Sequence, residues 1–424
     1  MSDTKNAAAT GKFAKALALF LPGIFLLGFN IGTGSITAMA VAGANYGMAL
    51  LWTIVASCLC TFFMINIYSR YTMVTGETAL QAFKKHIHPL MGIYFIIALT
   101  LGVAGSVMGV MGIVAKVSSE WSKTFIDGGI HPIWFAIFFS ALVYFIFWGG
   151  KTKVFERSLA VIVAVMAACF LINFFLMMPP PVDLIKGLIP NVPELAPGEK
   201  KGPWLVIAGM VGTTVFSGLF IIRTTLIKEA GWTLKDARTQ RNDAIVAVVM
   251  MFVISAAVMA AAAGTLHVQG LQLKEAYQMI SLLEPLAGSF ATSIFAIGII
   301  AAGVSSQFPN VLMLPWLLCD YGEKKREMTL PKYRIMVFII SLLALVVPIF
   351  DARPVPIMIM SQAFGALILP LTVGCIFYLT NRKDLMGEHR NTLISNLILT
   401  AIMLFALFMS YLAVKGLWLA LTTP

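Results

Sequence analysis

Charged residues are scarce in this chain. Only 12% of its 424 residues are Asp, Glu, Lys or Arg, whereas about a quarter is usual for a soluble domain. Hydrophobic residues make up 59% of the sequence. This composition excludes an ordinary soluble domain and predicts a polytopic membrane protein with an all-α fold, located in the cell membrane.

Titratable groups are missing from the middle of the apolar segments. The 19 acidic residues and the 5 histidines all lie in predicted loops or at predicted helix ends. An intramembrane enzyme, a proton relay or an imidazole metal site would need such groups inside the membrane. The pattern therefore argues against all three, and we expect no enzymatic activity and no cofactor.

Paired cysteines and large loops are also lacking. The five cysteines show no Cys-x-x-Cys spacing and fall in or beside apolar segments, so they are interpreted as packing residues rather than as a disulfide or thiolate framework. The two longest predicted loops, residues 179–202 and 267–285, are too short to form a soluble catalytic domain.

Eleven segments have the length and apolarity to cross a bilayer. They are residues 13–43, 47–69, 89–116, 132–149, 154–178, 203–229, 243–266, 286–319, 334–350, 354–380 and 391–417. We expect a cytoplasmic tail over residues 1–12 and a single transmembrane domain over 13–417. The first apolar segment is too long for a signal peptide, so it is expected to remain in the membrane.

The basic residues predict the orientation. With the amino terminus inside, 22 of the 30 Lys and Arg residues fall on the cytoplasmic side. By the positive-inside rule this asymmetry predicts a cytoplasmic amino terminus and, with an odd number of spans, a carboxyl terminus outside.

Two spans carry glycine and hydroxyl residues where a continuous helix would be apolar. These stretches are Gly28–Ser35 in the first span and Gly209–Gly218 in the sixth. Close packing of small residues would explain either stretch alone. Because the two lie five spans apart, we predict broken helices in a five-plus-five inverted repeat, with the substrate at the midplane between them. The repeats would span residues 13–178 and 203–380, with an extra helix over 391–417.

Arg223 is the charge closest to a predicted break. It lies five residues after Gly218, about 7 to 8 Å along a helix. Its guanidinium could reach back toward the break and hold a carboxylate or phosphate. The alternative is a structural arginine near the cytoplasmic face, paired with Asp236 or Asp243.

Several motifs resemble the NRAMP family of divalent-metal transporters. Ile31–Thr37 and Val41–Trp52 resemble the family's first helix. Further matches are Met73–Glu77, Glu156-Arg157, Gly212–Thr214, Leu226–Trp232, Ala302–Ser306 and Ser361-Gln362. The resemblance extends from about Lys12 to the tenth span. It implies the same eleven-helix, LeuT-like inverted repeat with helices one and six broken.

The metal ligands of that family are not retained. Where the family's first helix carries Asp-Pro-Gly-Asn, this chain has Gly32–Ser35, and where the sixth carries Met-Pro-His it has Phe216–Gly218. The later histidine of the sixth helix aligns with Arg223. Among the coordinating side chains that the resemblance implies, only Gln362 remains.

The candidate site residues come from both breaks and the tenth span. For substrate binding they are Gly32, Thr33, Ser35, Thr213, Phe216, Ser217, Arg223 and Gln362. Ser305 and Ser306 are candidates for an ion site, with small-residue packing as the alternative. No set of metal ligands is assigned.

These residues predict a secondary transporter that moves a small solute or ion by alternating access. The neutral lining favours a non-metal solute such as a carboxylate, held by a half-helix amino terminus and by Arg223. The alternatives are a hydrated divalent cation, Mg or Mn, which would meet only hydroxyls and carbonyls, and a membrane sensor that does not transport. The expected partners are the substrate, the lipid bilayer and, if transport is coupled, an ion; no nucleic acid is expected.

Overall fold

The computed structural model describes residues 32–148, 161–175 except 163, 166 and 173, and then 179–193, 202–273 and 284–422. All regular secondary structure in these residues is helical, as the composition predicts. The predicted cytoplasmic tail, most of the first break and the Glu156-Arg157 motif lie outside the described residues.

The helices follow one another with short connections. In chain order they are α1 (Thr33–Tyr46), α2 (Leu51–Thr75), α3 (Ala79–Ala82), α4 (Pro89–Ser122), α5 (Pro132–Trp148), α6 (Pro181–Gly187), α7 (Trp204–Thr214), α8 (Ser217–Glu229), α9 (Ala237–Thr265), α10 (Glu284–Tyr321), α11 (Pro331–Leu342), α12 (Val346–Ile349), α13 (Pro354–Asn381), α14 (Lys383–Met386) and α15 (Leu393–Thr422). Residues 161–175 are also helical wherever they are described.

Eight helical stretches within the described residues are long and apolar enough to span a membrane. The pair α7–α8 forms one of them, and α11–α12 forms another. Helix α5 is apolar but has only 17 residues. The polytopic helical class is confirmed, while the described residues do not establish the predicted total of eleven spans.

In the sixth predicted span, the helix is broken where glycine and hydroxyl residues predict it. In the first predicted span, the described residues start at Gly32, which is extended with φ −95° and ψ 179°, and α1 follows from Thr33. In the sixth predicted span, α7 ends at Thr214 and α8 begins at Ser217. Between them, Val215 and Phe216 leave the helical conformation, with ψ angles of 57° and 119°. The sixth helix is therefore interrupted inside the predicted stretch.

Glycines let the central helices approach closely. A Cβ added at Gly212 would overlap the backbone oxygen of Gln362, so α7 packs directly on the backbone of α13. Gly43 likewise brings α1 against the backbone oxygen of Met259 in α9. Such contacts need glycine because no other residue leaves room for the neighbouring backbone. The first contact holds α7 beside the tenth predicted span, and the second holds α1 beside the seventh.

Helix α9 begins six residues before the predicted span. Thr233 and Asp236 form a capping box in which each side chain bonds the other residue's backbone N–H, so the chain becomes helical early. As a result, Asp243 lies two turns inside the helical segment and is fully buried. The sequence placed this acid only at a helix end.

Candidate functional site

A central cavity lies where α1, the break between α7 and α8, and α13 meet. Helices α4 and α10 complete its wall. About 40 Å³ is open to the centres of water molecules, whereas one water needs roughly 10–15 Å³ by this measure. The cavity therefore has room for a few waters, or for a small ion that keeps part of its water shell.

The polar groups of the cavity are all neutral. They are Ser35, Ser106, Thr213, Ser306, Asn310, Ser361 and Gln362. No Asp, Glu, Lys, Arg or His is among the described residues that line it. In the described part of the chain, moreover, no three His, Cys, Asp or Glu side chains come together in a group that could hold a metal. The lining offers hydroxyl and amide groups and no charge.

The side chain of Gln362 lines the cavity. Its amide nitrogen donates to Met358 Sδ at 3.3 Å, so the amide oxygen is the group that this side chain can offer to a cation. The same nitrogen occupies the space that a side chain at Gly34 would need. The missing side chain at Gly34 thus allows the amide to lie beside the start of α1.

Hydrogen bonds orient the polar groups of α4, α10 and α13. Ser361 donates to the backbone oxygen of Gly102 at 2.7 Å, and the Asn310 amide lies 3.5 Å from the Ser106 hydroxyl. Ser306 donates to Ala302 in its own helix at 2.9 Å. Each of these groups keeps an acceptor oxygen that could contact a hydrated cation.

Six of the candidate residues predicted from the sequence line this cavity. They are Gly32, Ser35, Thr213, Phe216, Ser306 and Gln362. The side chains of Ser106, Asn310 and Ser361 also line it, but they were not among the candidates. Ser106 and Asn310 belong to long apolar helices that carry several hydroxyl and amide residues, and the sequence does not show which of these residues face a cavity.

Four candidates lie outside the lining of the cavity. The buried Ser217 hydroxyl accepts a hydrogen bond from Thr372 at 2.7 Å, which joins α8 to α13. Thr33 is buried against Gly303 of α10. Ser305 donates to the backbone of Ala302 at 2.9 Å, so its hydroxyl serves its own helix.

Arg223, the fourth of these residues, forms a buried ion pair. Its guanidinium lies 2.6 Å from an Asp243 carboxylate oxygen, and both side chains are shielded from solvent. The face of Trp232 lies 5.4 Å from the guanidinium carbon. The structure thus shows the alternative expected from the sequence, a structural arginine paired with Asp243. The cation that favoured a carboxylate substrate is already neutralised by this partner.

Comparisons with known proteins agree with the architecture. A family model described as natural resistance-associated macrophage protein-like (Nramp) matches residues 24–418. A divalent metal cation transporter MntH of Staphylococcus saprophyticus is 22% identical, covering 94% of this chain and 92% of its own length. An MntH of Klebsiella pneumoniae is 23% identical, with 92% of each protein covered.

Solved structures show the same fold. The manganese transporter of Eremococcus coleocola superposes with a TM-score of 0.74 at 17% identity, covering 95% of this chain and 86% of its own. MhsT in complex with L-phenylalanine gives a TM-score of 0.62 at 14% identity, with coverages of 93% and 98%. At these identities the likeness concerns the fold alone.

Proposed function

Because this chain belongs to the Nramp family, we propose that it transports a divalent metal cation, Mg²⁺ or Mn²⁺, which passes the central cavity with part of its water shell. The observation that carries the proposal is a cavity between the start of α1 and the break between α7 and α8, with a neutral, oxygen-rich lining. The names of the similar MntH proteins support a metal cation and give no support to a carboxylate.

The neutral lining requires that the ion keep water. A bare divalent cation at mid-membrane would need carboxylates or comparable ligands to offset its charge, and the described lining has none. Mg²⁺ gives up its water reluctantly and is often bound through it. Hydroxyl and amide oxygens such as those of Ser306 and Gln362 can accept hydrogen bonds from such a water shell.

The lining also predicts weak selection among cations. Soft metals such as Cd²⁺ are selected by thiolate or thioether ligands, and no Cys or Met side chain lines the cavity in the described residues. We therefore expect Mg²⁺ and Mn²⁺ to be transported at rates within about tenfold of each other, because no ligand worth more than ~1.4 kcal/mol separates them. Cd²⁺ should gain no advantage over either ion.

Uptake by the purified protein in liposomes tests the proposal. Mg²⁺, Mn²⁺ and Cd²⁺ would be compared with labelled small carboxylates, and protein-free liposomes would give the background. Saturable uptake of Mg²⁺ and Mn²⁺ is the expected result. Carboxylate uptake without any divalent-ion uptake would overturn the proposal, and so would Cd²⁺ uptake that greatly exceeds both.

A further inference from the structure

A second cavity lies at one end of the helical bundle, between α2, α9 and α15. Its volume is about 340 Å³. Arg70 and Arg241 line it near the ends of their helices, and apolar side chains of Phe63, Ile67 and Ile398 line it as well. Phe63 lies seven residues before Arg70, about 10 Å deeper along α2. The cavity therefore has a basic end and an apolar end.

Two buried donors in this cavity lack partners. Gln240 is 3% exposed, and neither its Nε2 nor the buried Nε of Arg70 has a hydrogen-bond partner. The other end of the Arg70 guanidinium donates to Asn391. A buried donor without a hydrogen-bond partner destabilises the folded protein. An external acceptor at these two donors would remove that penalty.

The charge of the site indicates an anion. Arg70 and Arg241 contribute two positive charges, and no carboxylate is present among the described residues that line the cavity. A phosphate group has several acceptor oxygens and suits arginine and amide donors. An anionic phosphate would satisfy the donors of Arg70 and Gln240 together.

The apolar end indicates that the phosphate belongs to a lipid. Phe63, Ile67 and Ile398 would have no role with a soluble anion. Beside them, α15 presents Ile394 and Leu397, which are 69% and 63% exposed and face outward from the bundle. From these contacts we propose that the cavity binds the phosphate group of an anionic phospholipid, whose acyl chains lie along Phe63 and Ile398.

Lipid binding to the full-length protein tests the assignment. Native mass spectrometry would compare phosphatidylglycerol with zwitterionic phosphatidylcholine on the wild type and on the Arg241→Gln variant. Arg241 is exposed, so the variant should fold. A basic residue near the membrane surface contributes about 1 kcal/mol, so we expect roughly fivefold weaker phosphatidylglycerol binding. The Arg238→Gln control removes an exposed charge of the same helix outside the cavity and should change binding less than twofold.

A second variant and a soluble anion complete the test. Gln240→Leu removes the unpartnered amide and should weaken phosphatidylglycerol binding without lowering the melting temperature. Inorganic phosphate in millimolar amounts should leave the lipid bound. Equal losses of phosphatidylglycerol binding in Arg241→Gln and Arg238→Gln would overturn the proposed site, since they would show only nonspecific electrostatic attraction. Complete displacement by inorganic phosphate would overturn the lipid assignment in favour of a soluble phosphate.

Discussion

Replacing Arg223 by methionine is expected to destabilise the folded protein by about 3–5 kcal/mol, because it leaves the Asp243 carboxylate buried without its counter-charge. The two groups lie 2.6 Å apart with no access to solvent, so water cannot compensate for the lost partner. The Asp243→Asn variant should be destabilised in the same way. Thermal unfolding of purified protein in detergent, followed by size-exclusion chromatography, measures the effect.

A double variant distinguishes the loss of the ion pair from the effect of leaving one buried charge without its partner. Arg223→Met combined with Asp243→Leu leaves no isolated charge, and we expect it to recover most of the stability, as replaced buried pairs often do. Lys123→Met is the control, because it breaks an exposed pair with Glu120 and should cost less than about 1 kcal/mol. If Arg223→Met is no more harmful than Lys123→Met, the buried pair does not stabilise the junction of α8 and α9.

Replacing Gly212 by alanine is expected to prevent the close packing of α7 on α13. The added Cβ would overlap the backbone oxygen of Gln362, and a backbone atom cannot turn aside as a side chain can. Overpacking typically costs 1–3 kcal/mol, and more where the backbone must move. Because α7 carries one side of the break, its displacement would also distort the cavity. We expect a large loss of folded protein and of uptake.

Gly209→Ala is the matched control for this variant. It lies one turn earlier in α7, where an added Cβ would meet the Ile359 side chain at 3.4 Å, an ordinary contact. Alanine is favoured over glycine in a helix by up to about 1 kcal/mol, so this variant should be neutral or slightly stabilising. Equal behaviour of the two variants would show that the close approach of α7 and α13 is unimportant.

Much of the fold follows from the sequence. Apolar length alone predicts the membrane helices, and the glycine and hydroxyl residues around Gly32 and Gly212 predict where helices are interrupted, because such residues hold a helix poorly. The helical break at Val215–Phe216 confirms the second of these predictions. Composition predicts eleven membrane-spanning segments. The described residues do not cover all of these segments, so the structure does not establish their number.

The candidate site was less accessible to sequence reasoning. Motifs indicate Gln362 and Ser35, whereas Ser106 and Asn310 are not indicated, because a polar residue in an apolar helix does not show which way it faces. The pairing of Arg223 with Asp243 depends on the early start of α9, which places Asp243 inside the helix. Thr233 and Asp236 carry that signal as a capping box, which would have placed Asp243 inside the helix.

If a divalent cation passes the Gln362 amide in the neutral cavity, as we propose, Mg²⁺ uptake should fall in a Gly34→Ala variant. The added methyl group would displace the flexible end of Gln362 without meeting backbone, so the protein should fold with an unchanged melting temperature. Loss of one hydrogen-bonding ligand is worth about 1.4 kcal/mol, or tenfold in rate. We predict about tenfold slower Mg²⁺ uptake than in wild type, with Gly209→Ala within twofold. Uptake at the wild-type rate by a folded Gly34→Ala variant would overturn this route for the ion.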